Sequence, residues 1–160
     1  GSYCITLTRY AFERVPNRVC SIIDYDPTYK TDRLTGAIMD FGGGRQASFL
    51  CGTQMARYQG LVIFGTKSWI RVDCPFAMPG DWRARIEIGA NIYPGAPVGE
   101  TEEFEATDQY MLQGEDFSSR LRTRTVGDFP LEDAVLNMEV IDAIFQSGKS
   151  HSWETVGNNR

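Results

Sequence analysis

The sequence RLTGAIMDFGGGRQASFLCGTQM, residues 33–55, decides the fold of this chain. Two runs of strand-forming residues flank the three glycines 42–44, and glycine supplies the positive φ that a tight hairpin turn needs. With Ala47 these glycines also fit the spacing G-x-G-x-x-A of a dinucleotide-binding loop. Such a loop requires a helix whose N-terminus faces the pyrophosphate, whereas residues 46–55 continue as a strand pattern. The segment therefore predicts a β-hairpin and no cofactor loop.

More strand patterns lie on both sides of this hairpin. Residues 19–25 carry apolar side chains on both faces, residues 58–65 and 68–72 predict a second hairpin, and residues 83–88 alternate cleanly. Consecutive strands without intervening helices indicate a largely antiparallel sheet, here of about six strands. Residues 89–103, rich in glycine, proline and acids, predict a loop.

Helical patterns frame the strands. The first helix is predicted over residues 3–13, with Tyr3, Leu7, Tyr10 and Ala11 at helical spacing. The second is predicted from a cap at Thr107 or Asp108 to about residue 122, with Tyr110, Gly114, Phe117 and Leu121 on one face. Pro130 is expected to start the third and Gly148 to end it, with an apolar stripe of Leu131, Val135, Met138, Ile141 and Phe145. The order predicts an α+β fold: an open-faced, largely antiparallel β-sheet with helices packed on one face.

The strands contain more bulky apolar residues than one helix layer needs: Ile22, Phe49, Ile63, Phe64 and Trp69. Large apolar surfaces mark interfaces. We therefore expect a homo-oligomer that forms through the open face of the sheet.

Composition limits the function classes. With 160 residues the chain is expected to form a single domain over 1–160, and a net charge of -5 argues against binding nucleic acid. No apolar run reaches the roughly 20 residues of a membrane span, and the first ten residues do not resemble a signal peptide. Cys4, Cys20, Cys51 and Cys74 form no C-x-x-C pair and His151 is the only histidine. We expect no metal site and a reducing, cytoplasmic location.

Catalytic chemistry is not evident from the residues alone. His151 lies in a polar stretch without an implied partner, and the adjacent acids 102–103, 115–116 and 132–133 do not flank a substrate as glycosidase carboxylates do. Composition and spacing indicate an α+β domain but do not indicate its function.

Several segments, in order along nearly the whole chain, resemble the C-terminal domain of the Gfo/Idh/MocA family of NAD(P)-dependent oxidoreductases. The segments are Gly1-Ser2-Tyr3 with Arg9, residues 19–32, the hairpin 63–72 with Cys74-Pro75-Phe76, Asp108-Gln109-Tyr110 with Phe117, residues 129–144, and Ser147-Gly148 with residues 153–156. The first is similar to the end of the family motif D-x-G-x-[YH], and residues 129–144 give the strongest match. Ser68 stands where the family hairpin usually has glycine. The motif's Asp, the family's lysine motif and its glycine-rich cofactor loop are not in this sequence.

The resemblance implies a dihydrodipicolinate-reductase-like sheet domain that completes the substrate pocket beside an N-terminal Rossmann domain. It implies hydride transfer between NAD or NADP, bound by that other domain, and a small sugar-like substrate, a polyol or a related carbonyl compound. Tyr3 occupies the position of the group that handles the hydroxyl proton, assisted by a lysine of the other domain. No cofactor is expected for this chain alone, which we expect to be inactive by itself. The alternative is a stand-alone, non-catalytic binding or oligomerisation domain.

Overall fold

In a computed structural model, which describes residues 1–90, 99–127 and 130–157, the chain forms two compact units. One unit is Gly1–Met55 with Asp128–Arg160, and the other is Ala56–Gly127. The one-domain organisation over 1–160 stays a prediction. The described elements are, in chain order, α1 (Ser2–Phe12), β1 (Arg18–Tyr25), β2 (Asp32–Gly42), β3 (Arg45–Gly52), β4 (Gly60–Phe64), β5 (Trp69–Asp73), β6 (Ala84–Gly89), β7 (Glu100–Phe104), α2 (Gln109–Thr123), α3 (Leu131–Ser150) and β8 (Glu154–Thr155).

The first unit is a sheet in the order β3-β2-β1-β8, with every described pairing antiparallel. Side chains alternate across it, as the period of a strand requires. One face carries the buried Val19, Ala37, Met39 and Phe41, which pack with Ile5 of α1 and with Val140, Ala143 and Ile144 of α3. This is the hydrophobic core of the unit, so helices cover one face of this sheet as predicted.

The opposite side, which we call the open face, presents Ile22, Ile38 and Leu50, with 82%, 47% and 61% of their surface exposed. Ile22 and Leu50 both lie opposite Gly36, on either side of the central strand β2. Of the apolar residues that suggested an interface from the sequence, Phe49 packs against the core instead, and Trp69 is buried in the second unit.

The predicted glycine hairpin is present. Gly42, Gly43 and Gly44 all have positive φ, between 61° and 80°, and they connect β2 to β3. Asp40 accepts the Gly42 N–H at 2.8 Å, and this bond, with the Arg18 guanidinium, holds the pKa of Asp40 below its usual range. No helix follows the glycines, so the dinucleotide-loop alternative is excluded.

The second unit has an antiparallel sheet in the order β4-β5-β6-β7. Asp108 caps α2 as predicted, since its side chain accepts the N–H groups of Tyr110 and Met111. The predicted loop over residues 89–103 was wrong at residues 100–103, which belong to β7. Residues 91–98 of that loop lie outside the described residues. The strand residues Glu-Thr-Glu-Glu-Phe are all exposed, and pairing with β6 makes them a strand despite the low strand propensity of the three glutamates.

The predicted inward face was wrong for α1 and only partly right for α3. In α1 the buried residues are Ile5 and Arg9, whereas Tyr3 and Tyr10 are exposed. In α3 the inward face is the following set: Asn137, Val140, Ala143, Ile144 and Ser147. Of the predicted α3 stripe, Ile141 packs against the core, whereas Leu131, Val135 and Met138 are exposed.

Gly148 does not end α3, which continues to Ser150 with His151 as its left-handed C-cap. A Cβ at Gly148 would lie 2.7 Å from Cδ1 of Ile23, so the glycine is explained by the close approach of α3 to β1. Asp128 and Phe129, ahead of this helix, lie outside the described residues. Pro130 occupies the N-cap position, one residue before the helix.

Candidate functional site

Helix α1 places Tyr3 on its outward side. Ile5, two residues later, is inserted in the core and is 1% exposed, whereas Tyr3 is 67% exposed. Two residues correspond to about 200° around a helix. The fold therefore presents the phenol of Tyr3 outward from the first turn of a helix that the core holds.

A polar network joins α1 to α3. Arg9 is 7% exposed, and its Nη2 donates to Oδ1 of Asp133 at 2.5 Å while its Nη1 donates to the Asp133 main-chain carbonyl at 3.2 Å. Asn137 Oδ1 accepts two hydrogen bonds, from Nη1 of Arg9 at 3.4 Å and from Thr6 Oγ1 at 3.3 Å. We call Thr6, Arg9, Asp133 and Asn137 the α1–α3 network. Residue patterns along the sequence do not indicate this network, because Arg9 and Asp133 are 124 positions apart.

A cavity of about 550 Å³ opens beside this network. Its lining comes from Thr6, Arg9, Tyr10, Ala11, Glu13, Arg14, Val15, Asp133 and Leu136. All of these residues belong to the first unit.

Two thiols lie near the start of α1. A Cβ built on Gly1 would lie 3.4 Å from Sγ of Cys51, and Cys4 is one turn further along the helix. Burial raises the pKa of the Cys4 thiol, and the neighbouring Cys51 raises it further. A raised pKa keeps the thiol protonated and unreactive at neutral pH, so Cys4 is not a nucleophile candidate.

The second unit contains a cluster of charges on one face of its sheet. Glu87, 4% exposed, pairs with Arg71, the residue opposite it on β5, and with Arg85 at 2.9 Å. Asp73 also pairs with Arg85, at 3.5 Å. Trp69 lies against Gly89 on this face. The alternating pattern Arg85-x-Glu87 is the signal in the sequence that could have indicated these pairs.

A cofactor or metal site can be described only within residues 1–90, 99–127 and 130–157. Within these residues no group of three or more His, Cys, Asp or Glu side chains could hold a metal ion. The glycines of the first hairpin offer no helix N-terminus to a pyrophosphate. In the same part of the chain, no helix has both the length and the apolar character of a membrane span.

Comparisons with known proteins identify relatives of this architecture. Residues 1–71 match the family model described as the GFO/IDH/MocA C-terminal domain. Over 156 residues the chain is 37% identical to "Uncharacterized oxidoreductase ORF334" of Rhizobium meliloti, covering 98% of this chain and 47% of that protein. The chain thus spans about half the length of the curated relative that it matches.

Solved structures show the same fold. The aldose-aldose oxidoreductase from Caulobacter crescentus, complexed with glycerol, superposes with a TM-score of 0.77 at 16% identity, over 98% of this chain and 46% of that one. KijD10, a 3-ketoreductase from Actinomadura kijaniata, in complex with NADP, superposes with a TM-score of 0.76 at 16% identity, over 92% of this chain and 45% of that one. These likenesses, with the antiparallel sheets and helices described above, confirm the predicted α+β fold.

Proposed function

This chain belongs to the C-terminal domains of the Gfo/Idh/MocA oxidoreductase family, and we propose that it is the substrate-binding and oligomerisation half of such an enzyme. The enzyme would transfer a hydride between NAD(P) and a sugar, polyol or related carbonyl compound. The observation that carries the proposal is the position of Tyr3. It is an exposed phenol in the first turn of a helix fixed to the core, at the position that matches the family's D-x-G-x-[YH] motif.

The proposal divides the chemistry between two domains. No described residue of this chain forms a dinucleotide loop, so NAD(P) would be bound by an N-terminal Rossmann domain and would supply the hydride acceptor or donor there. The deprotonated oxygen of Tyr3 would accept the hydroxyl proton of the substrate during oxidation, and the resulting phenol would return it during reduction, assisted by a lysine of that domain. The chain alone would therefore bind no cofactor and turn over no substrate.

Replacing Tyr3 in the complete oxidoreductase tests this role. Tyr3→Phe removes only the hydroxyl group, and we expect kcat for oxidation of reduced nicotinamide with a panel of aldoses and ketoses to fall by about 10²- to 10⁴-fold. Tyr10→Phe is the matched control, because Tyr10 is an equally exposed tyrosine two turns further along α1. A Tyr3→Phe enzyme as active as the Tyr10→Phe enzyme would remove Tyr3 from the proposed site.

The open face supports the second part of the proposal, assembly with another copy of the chain. Ile22, Ile38 and Leu50 form an exposed apolar patch on adjacent strands, whose burial against an identical patch would be favourable. Leu50→Lys should yield monomers in sedimentation velocity. Leu131→Lys places the same change on the exposed start of α3 and should leave assembly unchanged. Equal assembly of both variants would refute the interface.

The same open face favours one alternative, a stand-alone binding or oligomerisation domain. NADH and NADPH titration of the protein expressed from its complete gene separates the two functions. Cofactor binding supports the oxidoreductase, whereas assembly without cofactor binding supports the alternative. The four free cysteines support placing either protein in the reducing cytoplasm.

A further inference from the structure

Core packing alone does not explain why the α1–α3 network is built from buried polar side chains. A buried ion pair contributes little stability beyond that of well-packed apolar side chains of similar volume. Arg9 nevertheless has only 7% of its surface exposed, and its Nε is buried without a hydrogen-bond acceptor. Arg9 differs from an apolar residue because its hydrogen bonds fix angles as well as distances.

The network acts on the rotation of α1 about its own axis. Ile5 anchors the helix in the core, but apolar contact is non-directional and tolerates a small roll. Arg9 and Thr6 both donate to the same oxygen, Oδ1 of Asn137, and Arg9 also bonds two oxygens of Asp133. Contacts from two successive turns of α1 to fixed atoms of α3 remove that freedom.

The roll angle determines where the Tyr3 hydroxyl lies. A tyrosine oxygen extends roughly 9 Å from the helix axis, so a roll of about 10° moves it by roughly 1.5 Å. A misplacement of about 1 Å at a reacting group can lower a rate by about 100-fold. Small changes in the network would therefore be large changes at the phenol.

We infer that Arg9, together with Asn137, is a positioning residue that sets the roll of α1 and so aims Tyr3 at the substrate. The inference rests on the proposed role of Tyr3. Arg9 touches no reacting atom and acts only through the helix. Its removal should therefore affect the chemical step and leave cofactor binding unchanged.

The test is a double-mutant cycle in the complete oxidoreductase, with Arg9→Met, Tyr3→Phe and the combined variant. Arg9→Met should lower kcat by about 10- to 100-fold with unchanged KM for NAD(P)H. In the Tyr3→Phe background the same substitution should lower kcat no further, because the group that it aims is already absent. Arg45→Met is the matched control, since Arg45 is an exposed arginine of the same unit that lies outside the cavity lining.

The outcomes separate the inference from the proposed function. If Arg9→Met lowers kcat equally in both backgrounds, or lowers only the melting temperature, Arg9 is structural and the inference is overturned while Tyr3 keeps its role. If Tyr3→Phe itself retains full activity, both are overturned. Should Arg9→Met fail to fold, Arg9→Lys repeats the cycle, because lysine keeps the charge beside Asp133 and loses the guanidinium fork.

Discussion

Replacing Ser147 by alanine would test how α3 is attached to the sheet. Ser147 is fully buried, and its Oγ accepts the main-chain N–H of Ser21 at 2.9 Å and donates to the Ser152 carbonyl at 2.7 Å. The partner strand β8 pairs only with Arg18 and Val19, so Ser21 lies beyond its end. A helix side chain thus completes the hydrogen bonding of a strand edge.

The expected cost follows from that geometry. Ser147→Ala leaves the Ser21 N–H buried without an acceptor, and an unsatisfied buried donor costs about 1–3 kcal/mol. Since about 1.4 kcal/mol is a factor of ten in an equilibrium constant, hydrogen exchange of the Ser21 amide should accelerate by roughly 10-fold or more. We expect both a lower free energy of unfolding and a lower protection of this single amide from exchange.

Amide exchange followed by NMR, with urea unfolding followed by circular dichroism, measures both quantities. Ser118→Ala is the control, because Ser118 is exposed on α2, where alanine is a slightly better helix former. Unchanged protection of the Ser21 amide in Ser147→Ala would refute the reasoning, since the hydrogen bond would then contribute nothing to holding that edge.

Three further predictions concern single side chains. Gly148→Ala should destabilise the chain by about 1 kcal/mol in urea unfolding, because overpacking against Ile23 outweighs the better helix propensity of alanine. The additional substitution Ile23→Val should restore the lost stability. A stabilised Gly148→Ala chain would contradict the close approach of α3 to β1. The Tyr29 main-chain N–H, with further bonds, holds the pKa of Asp26 below its usual range, so this carboxylate stabilises the fold above about pH 4 and the contribution disappears as pH falls through the lowered pKa. Asp26→Asn should accordingly lower the melting temperature at neutral pH and progressively less in acid, and a difference independent of pH would count against it. Glu87→Gln should cost about 1–3 kcal/mol, because a buried carboxylate between two arginines is neutralised; an unchanged urea midpoint would show that the charge cluster is not stabilising.

Local sequence was sufficient where a short segment has only one good conformation. The glycines 42–44 require positive φ, and the structure has it at all three. Asp108 satisfies the first N–H groups of α2 from its own neighbourhood, so the cap could be located without tertiary information. The antiparallel α+β fold was predicted for the same reason, because strands joined by short turns pair with their neighbours.

Local sequence did not predict which residues are buried where contacts with distant residues determine the burial. Apolar spacing favoured Leu131, Val135 and Met138 as the inward face of α3, but all three are exposed. Ser147 and Asn137 are inside instead, since each finds a partner on another element: Ser21 for one and Arg9 for the other. The burial preference of a single residue type takes no account of such a distant partner.

The candidate site divides in the same way. The sequence by itself determined the glycine hairpin, the Asp108 cap of α2, the largely antiparallel α+β fold and, through the resemblance of residues 1–3 to a family motif, the choice of Tyr3. Only the tertiary structure decided that Tyr3 is exposed and that the α1–α3 network holds its helix. The physical reason is that backbone conformation depends on neighbouring residues, whereas burial, ion pairing and helix roll depend on atoms that the chain brings together from more than 100 positions away.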